Sequence, residues 1–288
     1  MSSTFRIGGD LDVHRLGFGA MHLPTEPGPG RENALAVARR AVELGVTLID
    51  TAHLYGGGAN EELLAEALHP YPEGLLITTK VGVARTGPGG DWKLDGRPEI
   101  LRDQVRQALR RLRTERIELL QLHRIDPDTP LADQLGTLRE LQNEGLVGRI
   151  GLSEVTVEEL ERARELVDVV SVQNRYNLLD REHEPVLDAC AAAGIAFLPW
   201  RPVAWGKTGA EDEIAAVAAE LGATPTQVSL AWLLERAPVV LPIPGTARTE
   251  HLEENLAATG LQLTSAQRTR LDRLTGAAQA GTDRGAGA

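Results

Sequence analysis

Short apolar runs alternate along this chain with amphipathic stretches of helical period, and few folds accommodate such an alternation repeated eight times. The runs are LGFGAM 16–21, TLIDTA 47–52, LLITTKV 75–81, IELLQLH 117–123, GRIGLSE 148–154, VVSVQN 169–174, AFLPW 196–200 and VVLPIPG 239–245. Between them lie helical patterns at 32–45, 61–68, 99–113, 132–145, 156–167 and 184–194, then the pair 211–222 and 225–236; a last one, 249–258, follows the final run. Strands separated by helices are the mark of repeated βα units, because parallel neighbours need a crossover between them. Eight strands with a helical segment after each predict an α/β chain folded as a (β/α)8, or TIM, barrel, with a doubly wound open sheet as the alternative.

Local signals agree with these boundaries. Gly45, Gly145, Gly194 and Gly222 stand just past the last periodic residue of four helices, where a left-handed residue ends a helix without a Cβ clash. Thr224-Pro225 supplies a capping hydroxyl followed by proline in the first turn. The opening FRIGGDLDVHRL places two extended runs around Gly8-Gly9-Asp10, which predicts a small hairpin across the amino-terminal end of the barrel. No Pro-, Gly- or Ser-rich linker interrupts the pattern before residue 276, so residues 1–275 are expected to form one barrel and 276–288 a disordered tail.

Composition excludes several classes of partner. The formal net charge of −11 repels phosphate backbones, which argues against nucleic acid. The densest basic segment, RQALRRLRTER at 106–116, has helical period and reads as a solvated outer face. No apolar run approaches the ~18 residues needed to span a bilayer, and MSSTFRIGGDLDVHR lacks the pattern of a secretory signal, so a cytoplasmic protein is expected. A single cysteine, Cys190, makes no internal disulfide and is expected to pack on a helix face.

Four polar residues stand where apolar runs give out: Asp50 after VTLI, Tyr55 in the following turn, Lys80 after LLITT and His123 after IELLQL. Side chains at the carboxyl ends of barrel strands share one mouth. Tyrosine, with an ordinary pKa of about 10, needs a neighbouring positive charge to act near neutrality. Lys80 supplies one, Asp50 holds Lys80 charged, and His123 hydrogen-bonds a substrate oxygen, which together make a general acid aimed at a carbonyl or a base aimed at an alcohol. Asp50, His53 and His123 also raise the question of a metal site, but no HxH or HxxxH spacing supports one.

A proton donor alone reduces nothing, so a hydride-carrying cofactor is required. No GxGxxG turn follows the first strand. The last strand instead ends in PIPGTARTEHLEEN, where a Gly-Thr turn runs into a helix amino terminus beside Arg248 and His251, an arrangement suited to phosphate. With LGFGAM, DTAHLYGGGANEELLAEAL, ITTKVG, LLQLHR, GRIGLSEV, VQNRYN and PIPGTARTEHLEENL in this order, nearly the whole chain resembles the aldo-keto reductase superfamily.

That resemblance implies that Asp50, Tyr55, Lys80 and His123 form a catalytic tetrad, with Tyr55 protonating a carbonyl while NADPH delivers hydride. It implies that Ser153 and Gln173 hold the nicotinamide carboxamide and that Trp200 stacks on the nicotinamide ring. Gly19, Met21, Arg201, Pro202, Gly245, Thr246, Arg248, His251, Glu254 and Asn255 are the further cofactor positions it carries over, Glu254 and Asn255 toward the adenine. Three positions depart from the family pattern: Glu154 stands for the asparagine usual after the serine, His251 for an arginine and Gly245 for a lysine. The guanidinium of Arg248 can grip a 2′-phosphate in two places, which favours NADPH over NADH.

The resemblance implies that RIDPDTPL 124–131, RPVAWGKTG 201–209 and the Gly/Ala tail shape the substrate pocket; none is long, so the pocket is expected to be open, with Trp92 and Trp205 as candidate aromatic walls. The substrate is then a small-molecule aldehyde or ketone, pyridoxal and sugar-derived aldehydes included, and the protein a monomer. A non-catalytic nucleotide-binding regulator on the same barrel is the competing reading, and the complete tetrad argues against it.

Overall fold

The computed structural model describes residues 3–85, 91–203 and 210–274. In chain order it comprises β1 (Thr4–Ile7), β2 (Leu11–His14), β3 (Phe18–Gly19), α1 (Pro29–Glu43), β4 (Leu48–Asp50), α2 (Ala59–Leu68), β5 (Leu76–Val81), β6 (Val83–Arg85), β7 (Trp92–Leu94) and α3 (Pro98–Leu112). There follow β8 (Ile117–Leu122), α4 (Leu131–Asn143), β9 (Val147–Ser153), α5 (Val157–Arg164), β10 (Val169–Gln173), α6 (Glu184–Ala193), β11 (Ala196–Phe197), α7 (Ala210–Leu221), α8 (Pro225–Arg236), α9 (Thr249–Ala257) and α10 (Ser265–Asp272).

Seven strands form one parallel sheet in the order β3-β4-β5-β8-β9-β10-β11, the arrangement of a (β/α)8 barrel. The eighth apolar run, 239–245, makes an isolated parallel bridge from Val240 to Phe197 instead of a continuous strand. Its prolines are the reason, since Pro242 and Pro244 have no N–H to donate. Leu241 N donates to Phe197 O at 2.8 Å on one side. On the other, Pro242 O and Pro244 O accept from Gly17 N and Gly19 N at 2.9 and 3.1 Å. The segment thus bonds to both β11 and the start of the sheet through the groups that proline leaves available.

The amino-terminal hairpin is present, with Thr4 opposite His14 and Ile7 opposite Leu11. Its Ile7 and Val13 pack with Leu48, Leu76, Leu119, Val170 and Leu241, buried residues near the starts of the barrel strands. A second hairpin, β6 with β7, was not foreseen from the sequence; it sets Val83 opposite Leu94 and Arg85 opposite Trp92. Outside the sheet, α3 buries Leu101, Val105, Ala108 and Leu112 at helical spacing, while Arg106, Arg110 and Arg113 face solvent as expected of the basic segment. Cys190 is buried on α6.

Helix ends follow the sequence signals. Gly45, Gly145, Gly194 and Gly222 all take positive φ. The Thr224 hydroxyl accepts from Gln227 N, with the Gln227 side chain returning to Thr224 N, a reciprocal cap. The same cap at Thr264 and Gln267 begins α10, a short helix that the hydrophobic period alone does not reveal because only Gln267 and Leu271 are buried on it. The expected tail at 276–288 and Trp205 lie outside the described residues. No helix among the described residues is long and apolar enough to cross a membrane.

Candidate active site

Asp50 is the last residue of β4 and Lys80 lies near the end of β5, with Asp50 opposite Thr78 in the parallel register. Lys80 is fully buried, and its ammonium donates to Asp50 Oδ1 and Oδ2 at 2.8 and 2.6 Å, to Thr51 O at 2.8 Å and to Tyr55 Oη at 3.3 Å. Those acceptors account for all three N–H groups of the lysine. Because the phenol oxygen accepts from Lys80, its own proton remains free for another acceptor. Gln173, at the end of β10, donates to Asp50 Oδ1 at 2.8 Å and so fixes the carboxylate from the far side of the sheet.

Tyr55 opens a tight turn, Tyr55–Gly58, whose next two residues sit at φ 60° and 65°. Glycine suits them because the left-handed region penalises a Cβ. Gly58 takes φ 99°, and a Cβ there would lie 2.1 Å from the Arg111 guanidinium, which would have to move aside. Arg111, on α3, passes beneath the turn to Glu61 Oε2 at 3.3 Å and to His53 Nδ1 at 3.1 Å. His53 is therefore engaged with an arginine, away from the metal arrangement considered above, and no group of three or more His, Cys, Asp or Glu among the described residues could hold a metal ion. The His123 ring meets Tyr55 edge-on, with centroids 6.1 Å apart.

A cavity of about 800 Å³ opens at this end of the barrel. Asp50, Tyr55 and His123 line it, and Lys80 lies in the buried layer beneath Tyr55. Of the expected cofactor positions, Gly19, Met21, Ser153, Gln173, Trp200, Arg201, Pro202, Gly245, Thr246, His251, Glu254 and Asn255 also line it. Arg248 does not: it is the residue before α9, its side chain is exposed, and its nearest carboxylate is Glu250 at 3.6 Å. Trp92 reaches the cavity from β7. Arg124 and Val203 line it from 124–131 and 201–209, two of the segments expected to shape the substrate pocket, whereas Leu54, His22, Val83, Thr226, Ile243 and Pro244 line it too and were not foreseen.

At the phosphate-like turn the backbone is packed so closely that side chains would not fit. A Cβ on Gly19 would meet Ile243 O at 2.7 Å, and one on Gly245 would meet Gly19 O at 2.8 Å. Glu154, one of the departures from the family pattern, adopts φ 53° at the end of β9. Its Oε1 accepts from Arg175 N and from Trp200 Nε1, both at 2.6 Å, so this carboxylate fixes the indole on the cavity wall.

Residues 15–275 match the model of the Aldo/keto reductase family. The chain belongs to that family. An uncharacterized oxidoreductase of Schizosaccharomyces pombe is 46% identical over 270 residues, 92% of this chain and 87% of the relative. Pyridoxine 4-dehydrogenase of Escherichia coli is 40% identical over 281 residues, 94% of this chain and 98% of the relative. Among solved structures, an aldo-keto reductase of Klebsiella pneumoniae in complex with NADPH superposes with a TM-score of 0.82 at 26% identity, covering 96% of this chain and 95% of that one. This aldo/keto reductase is accordingly an oxidoreductase acting on carbonyl compounds.

The electrostatics of the reductase follow from burial and from three cations, Lys80, Arg124 and Arg111. Burial pushes the Tyr55 phenol up from its ordinary value, and the nearby Lys80 charge pulls it partly back. Burial acts on Lys80 in the opposite sense, but Asp50 and Tyr55 outweigh it and hold the amine above its ordinary range. His123 falls well below 6.5, first by burial and then by repulsion from Lys80 and Arg124, so its ring is neutral at physiological pH. Outside the cavity, burial and Arg111 bring His53 down to about 4.

Proposed function

We propose that this protein is an NADPH-dependent reductase of small aldehydes or ketones, with Tyr55 as the proton donor. The observation that carries the proposal is the single ammonium of Lys80 bound at once to the Asp50 carboxylate and the Tyr55 oxygen. In the direction of reduction, the Tyr55 proton goes to the carbonyl oxygen as the carbonyl carbon gains a hydride, and the alcohol leaves. The phenolate that remains is stabilised by Lys80, whose charge Asp50 preserves. Neutral His123 can donate one ring N–H to the same carbonyl oxygen and orient it without competing for the proton. In oxidation the order reverses, and the Tyr55 phenolate accepts the alcohol proton.

The cavity residues suit a dinucleotide phosphate. Gly19 and Gly245 let two backbone segments pack together at the cavity wall, Thr246 adds a hydroxyl, and α9 begins directly behind them. Bound there, NADPH would supply the hydride. Ser153 and Trp200 would meet its nicotinamide end, Glu254 and Asn255 its adenine end, and the exposed Arg248 the 2′-phosphate. Gln173 serves the Asp50 carboxylate through its amide nitrogen, which leaves its amide oxygen for the carboxamide.

The relative named pyridoxine 4-dehydrogenase, similar over 94% of this chain, supports pyridoxal as the first aldehyde to try. The test is loss of NADPH absorbance with pyridoxal and with an activated aromatic aldehyde, in the wild-type protein and in Tyr55→Phe. Turnover in the wild type that disappears in the variant supports the proposal. Tight NADPH binding with no turnover on any carbonyl would instead make the protein a nucleotide-binding regulator.

A further inference from the structure

Arg124 lies one residue beyond His123 and lines the cavity beside Tyr55 and His123. Its Nη1 donates to His123 O at 2.5 Å and to Ser153 Oγ at 3.0 Å, so two contacts hold the guanidinium in place. Its Nε and Nη2 have no hydrogen-bond partner among the described residues, and no carboxylate among them lies within ion-pair distance. Other partly buried guanidiniums of this protein use their outer donors internally: Arg15 Nη2 meets three backbone carbonyls, and Arg111 Nη2 meets Gln107. Burial lowers the proton affinity of Arg124, and Glu154 and Tyr55 offset that only at a distance.

A fixed, half-buried cation whose remaining donors open into a substrate cavity favours an acceptor carried by the substrate, because a charge-assisted hydrogen bond gains strength where the walls exclude part of the water. The walls narrow the choice of ligand. Met21 and Trp92, the two exposed large hydrophobic side chains among the described residues, both line this cavity; Trp92 offers a flat apolar face and Met21 an adaptable one.

We propose that Arg124 forms a second substrate subsite, selecting planar aromatic aldehydes that carry an anionic or hydrogen-bond-accepting oxygen in addition to the carbonyl. This rests on the carbonyl-reductase reading above, with Trp92 and Met21 flanking the ring, Tyr55 and His123 on the carbonyl oxygen and Arg124 on the second oxygen. Arg124 contributes to binding and orientation of substrate, while the proton still comes from Tyr55.

The test measures kcat/KM with NADPH for benzaldehyde and its ortho, meta and para carboxylates in the wild type, Arg124→Leu and Arg124→Lys, with the Kd for NADPH of each protein. A charge-assisted hydrogen bond corresponds to about tenfold to a hundredfold in selectivity. At least one carboxylate isomer should exceed benzaldehyde by about tenfold in the wild type, mainly through KM; Arg124→Leu should erase that ratio and Arg124→Lys restore part of it. The proposal is overturned if no isomer is preferred, if the preference survives in Arg124→Leu, or if all four aldehydes decline alike with weaker NADPH binding, which would assign Arg124 to the cofactor. Reduction of benzaldehyde without carboxylate selectivity sinks this subsite alone, whereas no turnover of any aldehyde sinks the reductase reading together with it.

Discussion

The two ends of the barrel are built from the same strands and have opposite chemistry. On β4, Leu48 points into the apolar cluster under the amino-terminal hairpin, and two residues later Asp50 lines the cavity. β5 runs from Leu76 to Lys80, β8 from Leu119 toward His123, and β10 from Val170 to Gln173 in the same sense. The lower end is sealed by Ile7 and Val13 and has little to gain from any polar group. The upper end keeps Lys80 buried because Asp50, Thr51 and Tyr55 satisfy its three donors. The contrast teaches that the apolar seal and the polar site are separated along each strand by a few residues, and substitutions at the two ends should separate stability from activity experimentally.

The largest effect is expected at the upper end. Tyr55→Phe should lower kcat by about a thousandfold, in the range of lost general-acid catalysis, with thermal stability and NADPH binding close to wild type. A variant that keeps more than a tenth of the turnover would remove Tyr55 from its role and erase the functional half of the contrast. At the lower end, Leu119→Ala should cost about 2–5 kcal/mol of stability through a cavity in the sealed cluster, while kcat of the folded fraction is retained. Denaturant unfolding and initial rates on the same sample measure both, and a proportionate fall in kcat would show that the ends are coupled.

Smaller effects refine the upper end. Arg248→Ala should raise the Kd for NADPH about tenfold and leave that for NADH nearly unchanged, as titrated by cofactor fluorescence. Equal effects on both cofactors would show that the exposed arginine does not read the 2′-phosphate. An effect confined to mildly acid pH is a pH dependence beneath the Tyr55 turn. His53 has a folded pKa of about 4 against 6.5 when exposed, so the unfolded chain binds the extra proton first. Its contribution is present above pH ~6.5 and is lost as pH falls from there toward 4, which lowers the thermal midpoint. His53→Gln should flatten that slope, and an unchanged slope would mean that other groups, His123 among them, carry it.

Much of this architecture was legible in the sequence because its signals are local. The alternation of runs located the seven sheet strands and the helices between them, and the glycine stops at Gly45, Gly145, Gly194 and Gly222 marked helix ends through a backbone preference that needs no tertiary partner. The eighth run was visible as an apolar segment, but its reduction to one bridge follows from Pro242 and Pro244, whose missing donors matter only once neighbours are in place. The β6–β7 hairpin and α10 were not visible in the hydrophobic pattern: Trp92 and Lys93 on β7 are exposed, and α10 is short and mostly polar. In the site, chain position alone singled out Asp50, Tyr55, Lys80 and His123 as polar groups at strand ends. Arg124 fell in a segment expected to shape the pocket, but its own contacts to His123 and Ser153 depend on the folded strand ends.

By itself, then, the sequence determined period, caps and the order of polar strand ends, all of which depend on a residue and its near neighbours. Tertiary structure alone decided the partners. Gln173 reaches Asp50 across 123 positions of chain, Glu154 holds Trp200 across 46, and the Arg111 guanidinium packs against Gly58. Such contacts are set by strand register and by the curvature that brings strand ends to one mouth, and neither is written in any short stretch of residues.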